Sequence, residues 1–223
     1  MPLPSQKSSE PVRTDSVFHI LTVCSGNLCR SPQAEQLLRS RIPAAFDRTT
    51  IPALEVTSAG TKARDGDVMD KHASAEAVRL GIVDVADHRA RRIIERHVGD
   101  ADLILGMARE HRAAAASLVP KANRRVFTLV EFARIVEALA NREVEHEIAP
   151  LGDDGFAAFM RRVVASAMTA RGLMPVPEDP LELDVEDPYR LDTEVYRRSA
   201  DDVERHVERI ASSLRALAYG SPH

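Results

Sequence analysis

Between residues 17 and 129 the chain alternates short apolar, β-branched runs with longer segments in which apolar positions recur every three or four residues. The run from Val17 to Val23 (VFHILTV) is nearly continuous and strand-sized, which predicts a strand buried on both faces. Further strands are predicted at Leu54 to Ser58, Asp102 to Met107 and Arg125 to Leu129. Helices are predicted at Gln33 to Arg41, Asp70 to Leu80, Ala90 to His97 and Arg109 to Leu118. Ser31 and Pro32 read as the N-cap and first residue of the first helix, and Gly81 as the stop of the second. Strands alternating with helices need right-handed crossovers. The pattern therefore implies an α/β fold, a doubly wound parallel sheet of about four strands with helices on both faces.

From about Ile135 to Pro180 the alternation loosens. Phe156, Phe159, Met160, Val163, Val164 and Met168 fall at helical spacing with Gly172 as a stop, which predicts a helical insertion over about 136–180. Its apolar face must be covered, either by packing on the domain or as a lid, a docking surface or a dimer contact. Thr193 to Tyr219 reads as a long amphipathic closing helix with Val195, Val203, Val207, Ile210 and Leu214 inward. Residues 1–15, polar and Ser/Pro-rich, read as a flexible tail ahead of one domain over 16–220.

Composition narrows the classes. With 223 residues, 44% apolar and 29% charged, the chain has material for a sizeable core and is no disordered segment. No run approaches the roughly 18 to 20 apolar residues of a membrane span, and residues 1–16 lack the features of a secretory signal. Two cysteines cannot form a disulfide framework, so a reducing, cytoplasmic setting is expected and a thiol is free for chemistry. A net charge of −4, with Arg and Lys interspersed among acids, gives no footprint for nucleic acid. An anionic ligand must be held by a local site.

Such a site is legible after the first strand, in Cys24-Ser-Gly-Asn-Leu-Cys-Arg-Ser-Pro32. A Cys and an Arg at this spacing arise by chance roughly one time in four or five, but requiring Gly26, Asn27, Ser31 and Pro32 as well lowers the odds to the order of one in a million. A short loop between a strand and a helix N-terminus can turn backbone N–H groups toward a tetrahedral oxyanion, aided by the helix dipole. Gly26 permits a positive φ and Asn27 tolerates one. Arg30 offers a planar fork to two phosphate oxygens. Cys24 lies where a positive field favours a thiolate nucleophile. The Ser31 hydroxyl can hydrogen-bond that sulfur and help it leave in a second step.

The segment CSGNLCRSPQAE resembles the signature of the low-molecular-weight protein-tyrosine phosphatases. Ser58-Ala-Gly-Thr61, His88-x-Ala-Arg91, Asp102-Leu-Ile-Leu105 and Asp184-Val-Glu-Asp-Pro-Tyr189 follow in family order, covering roughly residues 17 to 135 and 183 to 219. The resemblance implies that Cys24 attacks phosphorus and becomes a phosphocysteine. Arg30 and the loop Ser25, Gly26, Asn27, Leu28, Cys29 and Ser31 would hold the phosphoryl oxygens, Asp187 would act as general acid and base, and Tyr189 would wall the substrate ring. It further implies that Ser58 and His88 stiffen the loop with Asn27, that no cofactor or metal is needed, and that the partner is a phosphotyrosine protein, such as a bacterial tyrosine kinase. Cys29 is either core packing or, as in relatives, a thiol that traps oxidised Cys24.

Other features carry less. Asp179-Pro180 lacks the neighbours of Asp187-Pro188 and is not expected to supply the acid. His146 among glutamates, His72 and His206 read as surface residues, and Asp65-Gly-Asp67 as a turn. Where relatives carry an aromatic after Ser58-Ala-Gly-Thr61, this chain has Lys62, Ala63, Arg64 and Asp65. Leu28 favours phosphotyrosine, since relatives acting on phosphoarginine have Thr there. A phosphoarginine phosphatase, a thiol-dependent arsenate reductase using an external thiol, and a non-catalytic phospho-ligand module are the competing readings.

Overall fold

The structure, a computed structural model, describes residues 16–46 and 53–220; the expected tail over 1–15 lies outside them. Four strands, β1 (Phe18–Cys24), β2 (Leu54–Gly60), β3 (Leu103–Gly106) and β4 (Val126–Thr128), form one sheet in the order β2-β1-β3-β4. Every pairing is parallel, with Cys24 opposite Gly60 and Val23 opposite Gly106. The order reverses at β1, so the crevice outside its carboxyl end is the place where such sheets bind ligands.

Alternate residues of β1 feed two apolar layers, as a strand's period of two requires. Phe18 and Ile20 pack with α1 (Arg30–Ala45), α5 (Leu129–Ala140), α6 (Gly155–Ala170) and α7 (Thr193–Tyr219). Leu21 and Val23 join Val98 of α3 (Glu95–Asp100) and Ala115 of α4 (Arg109–Leu118) in the layer on the other face. The remaining helix, α2 (Lys71–Arg79), adds Ala73 and Ala77 to the larger layer. Burying each large side chain such as Phe18 or Leu37 stabilises the fold by about 1.5–3 kcal/mol. The doubly wound α/β architecture is as expected.

Three local expectations are corrected. The chain from Ala90 to Ile94 is extended rather than helical, because Gly60 N–H donates to Arg91 O and Ile93 N–H to Gly60 O, each at 2.9 Å, extending the edge beside β2. The helix starts only at Glu95. α1 begins at Arg30 with Cys29 as its N-cap, not at Pro32 behind Ser31, whose hydroxyl is used elsewhere. Position 136, where the insertion was expected to start, falls inside α5, which follows β4 without a loop. Thr128 ends the strand and caps the helix, its Oγ1 accepting from Glu131 N while Glu131 Oε2 accepts from Thr128 N.

The predicted amphipathic helix is α6. Phe156, Phe159, Met160 and Val163 are buried in the main core, Phe156 sits edge-on to Phe46 at 5.2 Å, and Arg161 reaches Asp102 ahead of β3. Its apolar face is thus spent on the domain. On α7, Val203, Val207, Ile210 and Leu214 are buried, Val195 only half so. His206 is buried with Nε2 3.3 Å from Asp202 Oδ1 and is not the surface residue expected.

Candidate active site

The loop leaving β1 wraps around one sulfur. Asn27 N–H donates to Cys24 Sγ at 3.2 Å and Ser31 O–H donates to it at 3.0 Å. Asn27 adopts φ 57°, a conformation that costs a non-glycine residue about 1–2 kcal/mol. Its side chain accounts for the choice of residue. Nδ2 donates to Ser31 Oγ at 2.9 Å and Ser58 Oγ at 2.8 Å, and Oδ1 accepts from Arg91 N at 2.9 Å. His88 Nε2 lies 2.7 Å from Asn27 O, and Ser58 donates onward to Glu35 Oε2 at 2.5 Å. Asn27 and Ser31 are fully buried. The side chains of Asn27 and Ser31 brace the loop from beneath, with Ser58 and His88 both in contact with Asn27.

Gly60 sets how closely the sheet backs this loop. A Cβ there would lie 2.6 Å from Ser25 O, 2.8 Å from Asn27 N and 2.8 Å from Ala63 Cβ. Thr61 N–H and Lys62 N–H donate to Cys24 O and Ser25 O at 2.9 and 2.8 Å, stitching the two strand ends together. No side chain caps α1, so its first-turn N–H groups are left to an anion.

Above the loop is a cavity of about 340 Å³ lined by Cys24, Ser25, Gly26, Leu28, Cys29 and Arg30, with Lys62, Arg64, Asp67, Asp187 and Tyr189 at its sides. Arg30 is buried; Nη1 donates to Val185 O at 2.9 Å and Nη2 contacts Asp187 Oδ2 at 2.5 Å. Its Nε meets no partner among the described residues, leaving a donor for a ligand. The Asp-Pro loop is held on both sides. Val185 N–H donates to Met107 O, Asp184 accepts from Arg109, and Ser199 Oγ donates to Glu186 O. Asp187 Oδ1 also accepts from Tyr189 N. Tyr189 is 43% exposed, forming an open wall.

Cys29 lines the same cavity, where burial, with Asp70 second, pushes its thiol up. Both cysteines are free. Asp179 caps a 3-10 turn through Leu181 N and is not among the residues that line the cavity. His146 is held by Leu139 O and Ile148 N, and no cluster suited to a metal occurs among the described residues. Among those residues no helix is long and apolar enough to cross a membrane. One residue beside the loop was missed: His111 of α4, with Nε2 2.9 Å from Ser25 Oγ. A histidine one turn into the helix after β3 was the available signal.

Residues 19–169 match the family model described as low molecular weight phosphotyrosine protein phosphatase. A protein-arginine-phosphatase of Geobacillus stearothermophilus is 27% identical over 88% of this chain and 96% of the relative. EpsP of Ralstonia nicotianae, a probable low molecular weight protein-tyrosine-phosphatase, is 38% identical over 50% of this chain and 70% of its own length. Among solved structures, YwlE arginine phosphatase from G. stearothermophilus matches with TM-score 0.60 and 25% identity, covering 92% of this chain and 99% of that one. A low molecular weight protein tyrosine phosphatase from T. tengcongensis matches with TM-score 0.59 and 26% identity, covering 86% and 97%.

Proposed function

The chain belongs to the low molecular weight phosphotyrosine protein phosphatase family, and we propose that it is a protein-tyrosine phosphatase working through a phosphocysteine on Cys24. The observation that carries this reading is that Cys24, Arg30 and Asp187 line one cavity at the carboxyl end of β1.

Cys24 attacks phosphorus as the thiolate, in line with the departing phenolate. Arg30, the N–H groups of the loop and the start of α1 hold the three equatorial oxygens. Asp187 gives its proton to the phenolate oxygen as the P–O bond breaks and the P–S bond forms. A water then attacks phosphorus, Asp187 takes its proton, and the P–S electrons return to Cys24. Ser31 O–H, already 3.0 Å from the sulfur, stabilises it as it leaves.

Phosphotyrosine fits the walls better than phosphoarginine does. Leu28 and Tyr189 offer apolar surface to a neutral ring, while Lys62 and Arg64 at the sides are matched by Asp67 and Asp187. The extended similarity to an arginine phosphatase supports phosphoarginine as the second reading. Hydrolysis of p-nitrophenyl phosphate, followed by profiling on phosphotyrosine, phosphoarginine and phosphoserine peptides, decides between them. No hydrolysis of any aryl phosphate by reduced protein would overturn the reading.

The expected setting is the cytoplasm and the expected partner a phosphotyrosine protein such as a bacterial tyrosine kinase. Segment 136–180 serves as part of the same domain, supported by the burial of α6 in its core. Cys29 shares the cavity with Cys24 and would form a protective disulfide on oxidation, though its raised thiol slows the closing attack.

A further inference from the structure

His111 is only 1% exposed, yet it hydrogen-bonds nothing in the core beneath it. Nδ1 meets no partner among the described residues, while Nε2 lies 2.9 Å from Ser25 Oγ and 3.3 Å from Glu110 Oε1. Ser25 lines the cavity beside Cys24. The sequence goes to some length to bring this ring under the loop. A Cβ on Gly106, at the end of β3, would lie 2.8 Å from Arg112 N and 3.1 Å from His111 Cβ, so only glycine lets the first turn of α4 sit so close.

A ring nitrogen with a carboxylate and a hydroxyl oxygen both near it is the donor of the pair. That leaves Nδ1 as a bare acceptor, which is less costly to bury unpaired than an N–H. That tautomer makes His111 the donor in the Ser25 bond. If Nε2–H is donated to Ser25 Oγ, the serine's own hydrogen is excluded from that line and is available to the cavity.

Building on the phosphatase reading, we propose that His111 is a positioning residue: by donating Nε2–H to Ser25 Oγ it turns the Ser25 hydroxyl hydrogen toward the phosphoryl oxygens held in the loop. Ser25 thereby adds a side-chain donor to those supplied by the backbone and Arg30, and it is the histidine that fixes its direction.

The test compares full-length wild type, Ser25→Ala, His111→Ala, His111→Gln and the double Ser25→Ala/His111→Ala variant. It measures kcat and KM on p-nitrophenyl phosphate, the inhibition constant of vanadate, and the thermal midpoint. Wild type inactive on p-nitrophenyl phosphate and not inhibited by vanadate would remove the phosphatase reading itself. With wild type active, Ser25→Ala and His111→Ala are each expected to weaken vanadate about tenfold or more, the size of a hydrogen bond to a charged group. The double variant is expected to be no worse than either. His111→Gln, whose amide can donate from nearly the same point, is expected to recover most of the vanadate affinity. Additive losses in the double variant, vanadate affinity unchanged in Ser25→Ala, or no recovery in a folded His111→Gln would each overturn the proposal. Should His111→Ala not fold, Ser25→Ala and His111→Gln suffice to decide it.

Discussion

Arg30 Nη2 and Asp187 Oδ2 stand 2.5 Å apart although 157 residues separate them in the chain. The guanidinium side chain is 4% exposed and the carboxylate 47%, so the carboxylate is the partner free to swing away. A phosphoryl dianion offers Arg30 the same oxygen chemistry with more charge. In the proposed mechanism its arrival would free Asp187 from Arg30, so that one contact would serve both the resting protein and its activation.

Asp187→Asn is therefore expected to bind phosphate or vanadate at least as tightly as wild type while kcat on aryl phosphates falls by roughly 10²–10⁴. The loss should grow with the pKa of the leaving phenol. A series of substituted aryl phosphates measures this, and an equal loss across the series would remove Asp187 as the acid.

Replacing the nucleophile separates binding from chemistry. Cys24→Ser should show no turnover, and isothermal titration with phosphate should still find the loop's affinity within about tenfold of wild type, since Arg30 and the helix N-terminus are untouched. Turnover surviving in this variant would exclude the phosphocysteine route.

Asn27 combines a left-handed backbone with three side-chain hydrogen bonds. Asn27→Ala should cost about 2–4 kcal/mol of stability together with most of the activity. Asn27→Gly should recover about 1 kcal/mol of that stability by relieving the φ penalty, without restoring kcat. Chemical denaturation of the two variants reads the difference.

Gly60→Ala introduces a methyl against backbone atoms that cannot step aside, Ser25 O and Asn27 N. The expected result is a displaced loop, with kcat/KM reduced at least tenfold and a thermal midpoint lowered by several degrees. Activity equal to wild type would mean that the sheet does not set the loop's position.

Acid should weaken the fold through His111. Burial first, then Arg30, pushes its ring down to about 4, while the nearby Glu110, Asp187 and Asp184 pull the other way without prevailing. Between that value and the ordinary 6.5 the unfolded chain binds a proton that the folded chain refuses. Stability present above pH 6.5 is thus lost as pH falls toward 4, by up to about 3 kcal/mol. Thermal midpoints of wild type and His111→Gln across this interval check it, the variant giving the flatter curve.

The strand, loop and helix around Cys24 were legible because their chemistry is local: a β-branched run, then residues chosen for φ, charge and nucleophilicity within nine positions. What escaped the sequence was set by distant neighbours. Ala90 to Ile94 took an extended form because the end of β2 offered hydrogen bonds. His206 was drawn inward by the packing of α7. α5 was hidden because Thr128 is strand end and helix cap at once, although its Thr128-x-x-Glu131 box was in plain view. The side-chain contacts of Asn27 and Ser31 with Ser58 and Cys24 join positions up to 31 residues apart, and only the folded loop shows their geometry.

The tethering of Val185 to Met107, of Asp184 to Arg109 and of Glu186 to Ser199 has a kinetic meaning. With Asp187 as the proposed proton donor, the strap that carries it is already fastened before substrate arrives. On the proposed mechanism, admission of a phosphorylated side chain would ask for one carboxylate to rotate, so solvent viscosity should bear on how fast substrate and product diffuse and not on any closing of the protein around them.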